Sequence, residues 1–278
     1  MKKLIIFFSV MLTVLSTVTL GVNAASDYTS SGNVFTVYTA KGLMDVAAKI
    51  NSDTAYSSYG ITLANDIDMS GKSWIPIGKD TSHTYSGTVN GAGYTVSNLT
   101  ATGYTAQNLA FVGVAGNGAA VKDLHLKNVN FSSSASGVSG IIANVTATAT
   151  VSGCTVEGVI HSGESYAGGL VALVSSKSSR LTVSNCAVDA DISSSGHSAA
   201  GIVGGDTATG QTTKDINTYP AVTASKVFVT GNFSTVNRVG SFMGYANAAN
   251  LSFVDCVSTA TLKYSKASEN GAFIAMDN

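Results

Sequence analysis

Charge is scarce in this chain. Asp, Glu, Lys and Arg make up 11% of 278 residues, and the formal net charge is −1. After Met1-Lys2-Lys3 no cluster of Lys or Arg appears, so nothing in the sequence would hold a phosphate backbone. Nucleic acid is therefore excluded as an expected partner. Cysteine is limited to three residues with no C-x-x-C pair, which argues against a zinc site. No G-x-S-x-G, H-E-x-x-H or phosphate-binding loop occurs. Beyond the N-terminus no stretch approaches the ~20 apolar residues of a membrane span. No cofactor is expected.

Gly, Ser, Thr and Asn are plentiful, and 45% of the residues are hydrophobic. That mixture suits a β structure with small residues at tight corners and does not suit a disordered chain. Leu4 to Leu20 is almost wholly apolar or hydroxylic, follows a basic start and precedes Val22-Asn23-Ala24. These residues read as a secretory signal peptide cleaved after Ala24. No Cys follows the apolar run, which argues against a lipoprotein anchor. The expected location is outside the cytoplasm, secreted or at a cell surface.

One five-residue pattern recurs. Gly168-Gly169-Leu170-Val171-Ala172 has counterparts whose third positions are Phe111, Ile141, Ile202, Phe242 and Phe273. Their spacings are 30, 29, 32, 40 and 31 residues. A second strand-like piece begins at Leu124, Cys154, Cys186, Ser225 and Cys256. In it residues 154, 156, 158 and 160 face one way and 155, 157 and 159 the other. A unit of ~30 residues with small corners cannot bury its apolar face alone, but a stack of units can. The expected fold is all-β, a right-handed parallel β-helix, the hand being the usual one for parallel crossovers.

Ahead of the array, Leu43, Val46, Ala47 and Ile50 fall on one face of a short helix, with Thr39 as N-cap and Asn51 near its end. This helix is expected to lie as a lid on the first rung. Asp27 to Asn33 reads as a loose polar stretch. The divisions are a signal peptide at 1–24, an N-terminal segment with the helix at 25–60, and the β-helix at 61–278. The 40-residue spacing implies an extra loop around Asp206 to Pro220. Rigid scaffolds carry function on such loops, so Asp206, Thr209, Gln211, Lys214, Asp215 and Tyr219 are the first candidate binding residues. Lys79 to Tyr85 is the second candidate segment.

The repeats resemble the GLUG motif of bacterial secreted proteins. The segment from Leu63 to Gly78, with Asn65-Asp66-Ile67-Asp68 and Trp74-Ile75-Pro76-Ile77, resembles the sequence that leads into such repeats. So does Tyr85 to Val96. The resemblance covers residues 35 to 278. It implies β-helices of surface proteins, adhesins and the non-catalytic parts of immunoglobulin-cleaving peptidases, with no catalytic residue in the repeat itself. This chain departs from the pattern at Ala143, Ala172 and Ala275, where a closing Gly is usual.

Cys154, Cys186 and Cys256 share one inward position and read as buried thiols rather than a disulfide. His83, His125, His161 and His197 show no metal spacing. Asn65 to Asp68 lacks the remaining ligands of a calcium loop and reads as turn chemistry. Trp74 reads as core. The Asn-X-Ser/Thr sequons at Asn98, Asn144, Asn232 and Asn250 matter only for a glycosylating host. The resulting expectation is a secreted, non-catalytic, adhesin-like binding or structural module whose partner is a glycan or an extracellular protein. The alternative is a polysaccharide lyase or glycosidase, with Lys127, Glu157 and Asp189 stacked on successive rungs. At the far end Leu262, Phe273 and Ile274 form a rung with no cover in view, which predicts self-association or further repeats there.

Overall fold

The computed structural model describes residues 26–207, 220–247, 250–266 and 269–276, with the backbone alone at 276. The signal-peptide residues lie outside this set. The chain winds into a β-solenoid of about eight turns. Each turn places one strand on the last in parallel register. One inward column runs Phe35, Ile61, Val89, Val121, Val151, Val183, Ala224 and Phe253. All of these are buried except the last. Alternation along each strand sends every second side chain into this interior, so burial and register are fixed together. The stack begins at Val34–Val37, inside the N-terminal segment, because that strand already pairs in parallel with Gly60–Leu63.

The recurring Gly-Leu motif forms a second sheet. Its strands are Val112–Ala115, Ile142–Val145, Val171–Val174, Val203–Asp206, Met243–Ala246 and Ile274–Met276. The bulky positions 111, 141, 170, 202, 242 and 273 point inward just before each strand. The first five are buried. The glycine ahead of the bulky residue has a physical cause at Gly169. A Cβ there would lie 2.2 Å from the Gly201 carbonyl oxygen on the next rung. A small corner residue is what lets one rung settle on another. Ser162 and Ser194 turn into the neighbouring corner, where their hydroxyls donate to backbone carbonyls of Ser165 and His197.

The helix spans Ala40–Ser52, and the Thr39 hydroxyl accepts from the Gly42 amide at 3.1 Å, as the cap chemistry requires. Leu43, Val46, Ala47 and Ile50 are buried against the first turns. Asn51 is more than a helix end. Its amide donates to the Pro76 carbonyl at 2.8 Å and accepts from the Gly78 and Lys79 amides at 2.9 and 3.1 Å. Residues 76–79 lead the second sheet, since Ile77 bridges to Val112. The helix thus covers that sheet's first edge. Tyr28–Ser31 is a strand rather than a loose stretch. It runs antiparallel to Val34–Val37, and main-chain pairing needs no apolar pattern.

One register differs from the sequence reading. Ala187 pairs with Phe228, which puts Cys186 beside Val227 rather than Ser225. Val227 in turn precedes Phe228, the partner of Val257, and so lies beside Cys256. The residue ahead of this position in the strand is left-handed in six turns: Gly93, Asp123, Gly153, Asn185, Lys226 and Asp255 all have φ between 51° and 82°. The extra length between these rungs includes residues 208–219, outside the described set.

Candidate functional site

The alternation that fills the interior also builds an outward face on the long sheet. Glu157 and Asp189 are exposed cross-strand partners on neighbouring rungs. Adjacent strands lie ~4.8 Å apart, so the two carboxylates are close neighbours on an open surface. Lys127 is exposed too, but a bulge intervenes. Register shifts between Leu126 and Val129, where Asn128 is left-handed, so Lys127 and Asn128 together oppose Glu157. On the other side Asp189 pairs with Thr230, and the charged row ends there.

Polar ladders run along the same face. The Asn128 amide donates to Asn98 Oδ1, and the Asn98 amide donates to Asp68 Oδ1 at 2.7 Å and to Ser70 Oγ at 2.9 Å. The Asn98 bond, joined by donations from the Ser70 hydroxyl at 2.7 Å and the Ser70 amide at 2.9 Å, holds the Asp68 carboxyl below the usual range, the Asn98 contribution being the largest. Further along, the Asn232 amide donates to Asp191 at 2.8 Å. Amid these rows stands Phe228, 45% exposed, between Ala187 and Val257 in its column and two residues from Thr230. Sequence reasoning did not single it out, although its outward parity was readable from the alternation.

A groove of about 410 Å³ adjoins this face, lined by Tyr104, Thr105, Ser132, Ser134, His161 and Gly163. His161 Nδ1 lies 2.8 Å from Ser193 Oγ on the next rung. Burial raises the Tyr104 phenol above its ordinary range, with a smaller push from Asp80. The groove offers hydroxyls, an imidazole and one aromatic ring, a set suited to hydrogen-bonding a polar ligand.

The remaining candidates have structural surroundings. Asp206 is not on an exposed loop. It ends the strand Val203–Asp206, is fully buried, and accepts from the Asn247 amide at 2.9 Å. Its partners in that reading, Thr209, Gln211, Lys214, Asp215 and Tyr219, lie outside the described residues. In Lys79 to Tyr85, His83 pairs with Asp80 at 2.8 Å, and Tyr85 is buried with its hydroxyl donating to the Tyr59 carbonyl. His125 meets Thr155 at 2.9 Å and His197 meets Asn237. Trp74 is buried, stacks on Phe111 at 5.3 Å and donates to the Ala110 carbonyl. Asn65 donates to the Tyr38 carbonyl, and Asp66 accepts from the Thr95 amide one rung on. Cys154, Cys186 and Cys256 are free thiols on one inward column, the first two buried. The adjacent Cys186 thiol and burial push the Cys154 thiol well above its usual range. Of the sequons, Asn98 is spent in its ladder, Asn144 is buried, Asn232 bonds Asp191 and Asn250 is half-buried at the start of the strand Asn250–Val254. Among the described residues no group of three His, Cys, Asp or Glu is placed to hold a metal.

These features define a parallel β-solenoid with an open, polar lateral face. The same fold is found in the crystal structure of a candidate immunoglobulin A1 protease from Bacteroides ovatus. The two superpose with a TM-score of 0.60 at 16% identity, over 90% of this chain and 86% of that one. In sequence the chain is similar to halomucin of Haloquadratum walsbyi, 30% identical over 148 residues. The match takes in 48% of this chain and 2% of halomucin's length. No family model matches the chain.

Proposed function

We propose that this protein is an exported, non-catalytic β-solenoid that works at a cell surface as an adhesin-like binding module, and that its ligand is a glycan. The N-terminal segment, read as a signal peptide, supports export. The halomucin match, over 2% of that protein's length, supports a module of a kind carried within a much larger protein. The observation that carries the ligand class is Phe228. An exposed aromatic face set among Thr230, Asp189, Asp191 and Asn232 combines an apolar platform for a sugar ring with hydrogen-bonding groups for its hydroxyls. The groove beside Tyr104 and His161 extends that surface.

One observation favours a polysaccharide lyase or glycosidase instead. Glu157 and Asp189 are in register, at the ~5 Å spacing of a retaining carboxylate pair. Against it, both stand on open strand surface, where no wall would hold a sugar between them or exclude water. A glycan panel decides between the readings. Binding without turnover, weakened about tenfold or more in Phe228→Ala and in Asp191→Ala, is the expected result. Release of reducing or unsaturated sugar, lost in Glu157→Ala and Asp189→Ala, would replace the module with an enzyme. Binding to an extracellular protein and to no glycan would overturn the ligand class.

A further inference from the structure

The lid helix does not seat flush on the turn beneath it. A trough of about 320 Å³ runs between the helix Ala40–Ser52 and residues 73–79, within the ~300–1,000 Å³ of small-molecule sites. The sequence makes it from both sides. Ala47 and Ala48 are successive small residues on the helix, so no long side chain fills the space beside Met44. On the other side Trp74 and Pro76 turn inward, which leaves Ile75 pointing out at 57% exposure. The proline that follows holds the backbone of Ile75 extended. The walls are methyl groups, a thioether and one indole, carried on two segments that the Asn51 hydrogen bonds tie together.

One charge meets this apolar lining. Lys79 is the only charged residue among the described residues that line the trough, and it is half-buried. Its ammonium makes no hydrogen bond or ion pair among the described residues. Other charges on these segments are engaged. Lys41 pairs with Asp45 and Asp27, and Lys49 lies over the Tyr56 ring at 4.5 Å. Asp53 accepts from the Ala55 amide, and Asp80 holds His83. The helix end carries a partial negative charge that would oppose an anion, but its Lys49 carbonyl is taken by the Asp53 amide and the Ser52 hydroxyl. A half-buried cation without a counter-ion, beside an apolar trough, suits an apolar ligand that ends in an anion.

We propose that this trough binds a free alkyl carboxylate of medium chain length, its chain laid between Ala48 and Ile75 and its carboxylate on the Lys79 ammonium. At the ~30 Å³ that a small group occupies in a liquid, the trough takes about ten non-hydrogen atoms, the size of octanoate. The site shares no residue with the lateral face proposed to bind glycans, and it stands whether or not that face binds sugar.

The test is a titration of the chain begun at Ala25, which contains every described residue. Hexanoate, heptanoate and octanoate are added below their micellar concentrations, and binding is read by calorimetry and by the emission of the single tryptophan, Trp74. Saturable one-to-one binding is expected, tightening about threefold to fourfold with each added CH2. 1-Octanol lacks the charge and should bind about tenfold more weakly than octanoate. Lys79→Met keeps an apolar stem and should erase that preference. Ala48→Phe, at an exposed helix position, fills the trough and should abolish binding of both ligands. Circular dichroism verifies each variant. If Lys79→Met does not fold, octanoate against octanol on the unaltered chain still reads the charge. No saturable binding overturns the proposal. Octanol binding as tightly as octanoate overturns the carboxylate, and binding indifferent to Ala48→Phe overturns the site.

Discussion

Removing the side chain of Asn51 is the sharpest test of how the N-terminal lid is held. Asn51 is 6% exposed and makes three hydrogen bonds to residues 76, 78 and 79, which belong to the following turn. Asn51→Ala deletes all three. Each typical bond contributes about 1 kcal/mol net, and a buried group left without a partner costs about 1–3 kcal/mol. The Pro76 carbonyl and the Gly78 amide belong to buried residues, whereas Lys79 is half-buried. Water can reach part of the site through the groove of about 320 Å³ between Met44, Ala48 and Ile75. That access sets the expectation low in the range, at about 2–4 kcal/mol. Against a total stability of 5–15 kcal/mol typical of a domain, the loss is large. Asn51→Asp keeps both acceptor roles and loses the donor, so it should fall between wild type and Ala. Urea unfolding gives the free energy. The single tryptophan, Trp74, lines the same groove, and its emission should shift to the red at lower urea than the circular dichroism changes. Amide exchange should accelerate first in Ala40–Ser52. A loss below about 0.5 kcal/mol, the scale of a neutral surface change, with helix amides as protected as before, would refute the reasoning. The lid would then be held by Leu43, Val46 and Ile50 alone.

Two further predictions rest on the outward ladder and the inward thiols. The folded Asp68 carboxyl titrates below its unfolded value, so its contribution to stability is present above the unfolded pKa and fades as pH falls through the folded one. Asn98→Ala removes the leading cause and should move the Asp68 midpoint upward in a carboxyl NMR titration; an unmoved midpoint would break the ladder argument. In the folded protein, alkylation should reach Cys256 first, because Cys154 and Cys186 are buried and the Cys154 thiol is held protonated. Mass spectrometry of the timed reaction reads the order, and equal rates for all three would contradict the burial.

Much of the fold was legible because a stack imposes the same demand on every turn. Phe111, Ile141, Leu170, Ile202 and Phe242 occupy one physical column, and the Gly before Leu170 answers a carbonyl 2.2 Å from where a Cβ would be. Repetition of the demand is what makes the pattern visible. The helix was legible from its own period and its cap. Contacts made once were not. Asn51 meets residues 25 to 28 positions later, and no periodicity announces a single amide. The strand Tyr28–Ser31 is polar because main-chain pairing alone holds it. Asp206 reads as a loop residue, yet it closes a buried strand and satisfies the Asn247 amide. The outward face was half legible. Glu157 and Asp189 were placed together, but the Asn128 bulge beside Lys127 and the weight of Phe228 emerge only from the register.

The sequence register that sets Cys186 against Ser225, where the structure has Val227, has a local cause that can be tested. Five of the six residues at the left-handed corner are Gly, Asp or Asn, the types that tolerate positive φ. The sixth is Lys226, at φ 55°, and nothing in a lysine signals such a corner. Reading the extended Ser225 as the equivalent of Cys186 therefore looked natural, and it slips the column by two residues. A lysine held left-handed costs ~1–2 kcal/mol relative to right-handed backbone. Asparagine recovers part of that through its short polar side chain. Lys226→Asn should accordingly stabilise the protein by up to about 1 kcal/mol, seen as a higher urea midpoint at unchanged slope. Ser225→Asn should give no such gain, because residue 225 pairs as extended strand with Ser184. If Ser225→Asn stabilises and Lys226→Asn does not, the corner lies one residue earlier. Val227 then leaves the core column, Phe228 turns inward, and the binding face argued from its exposure falls with it.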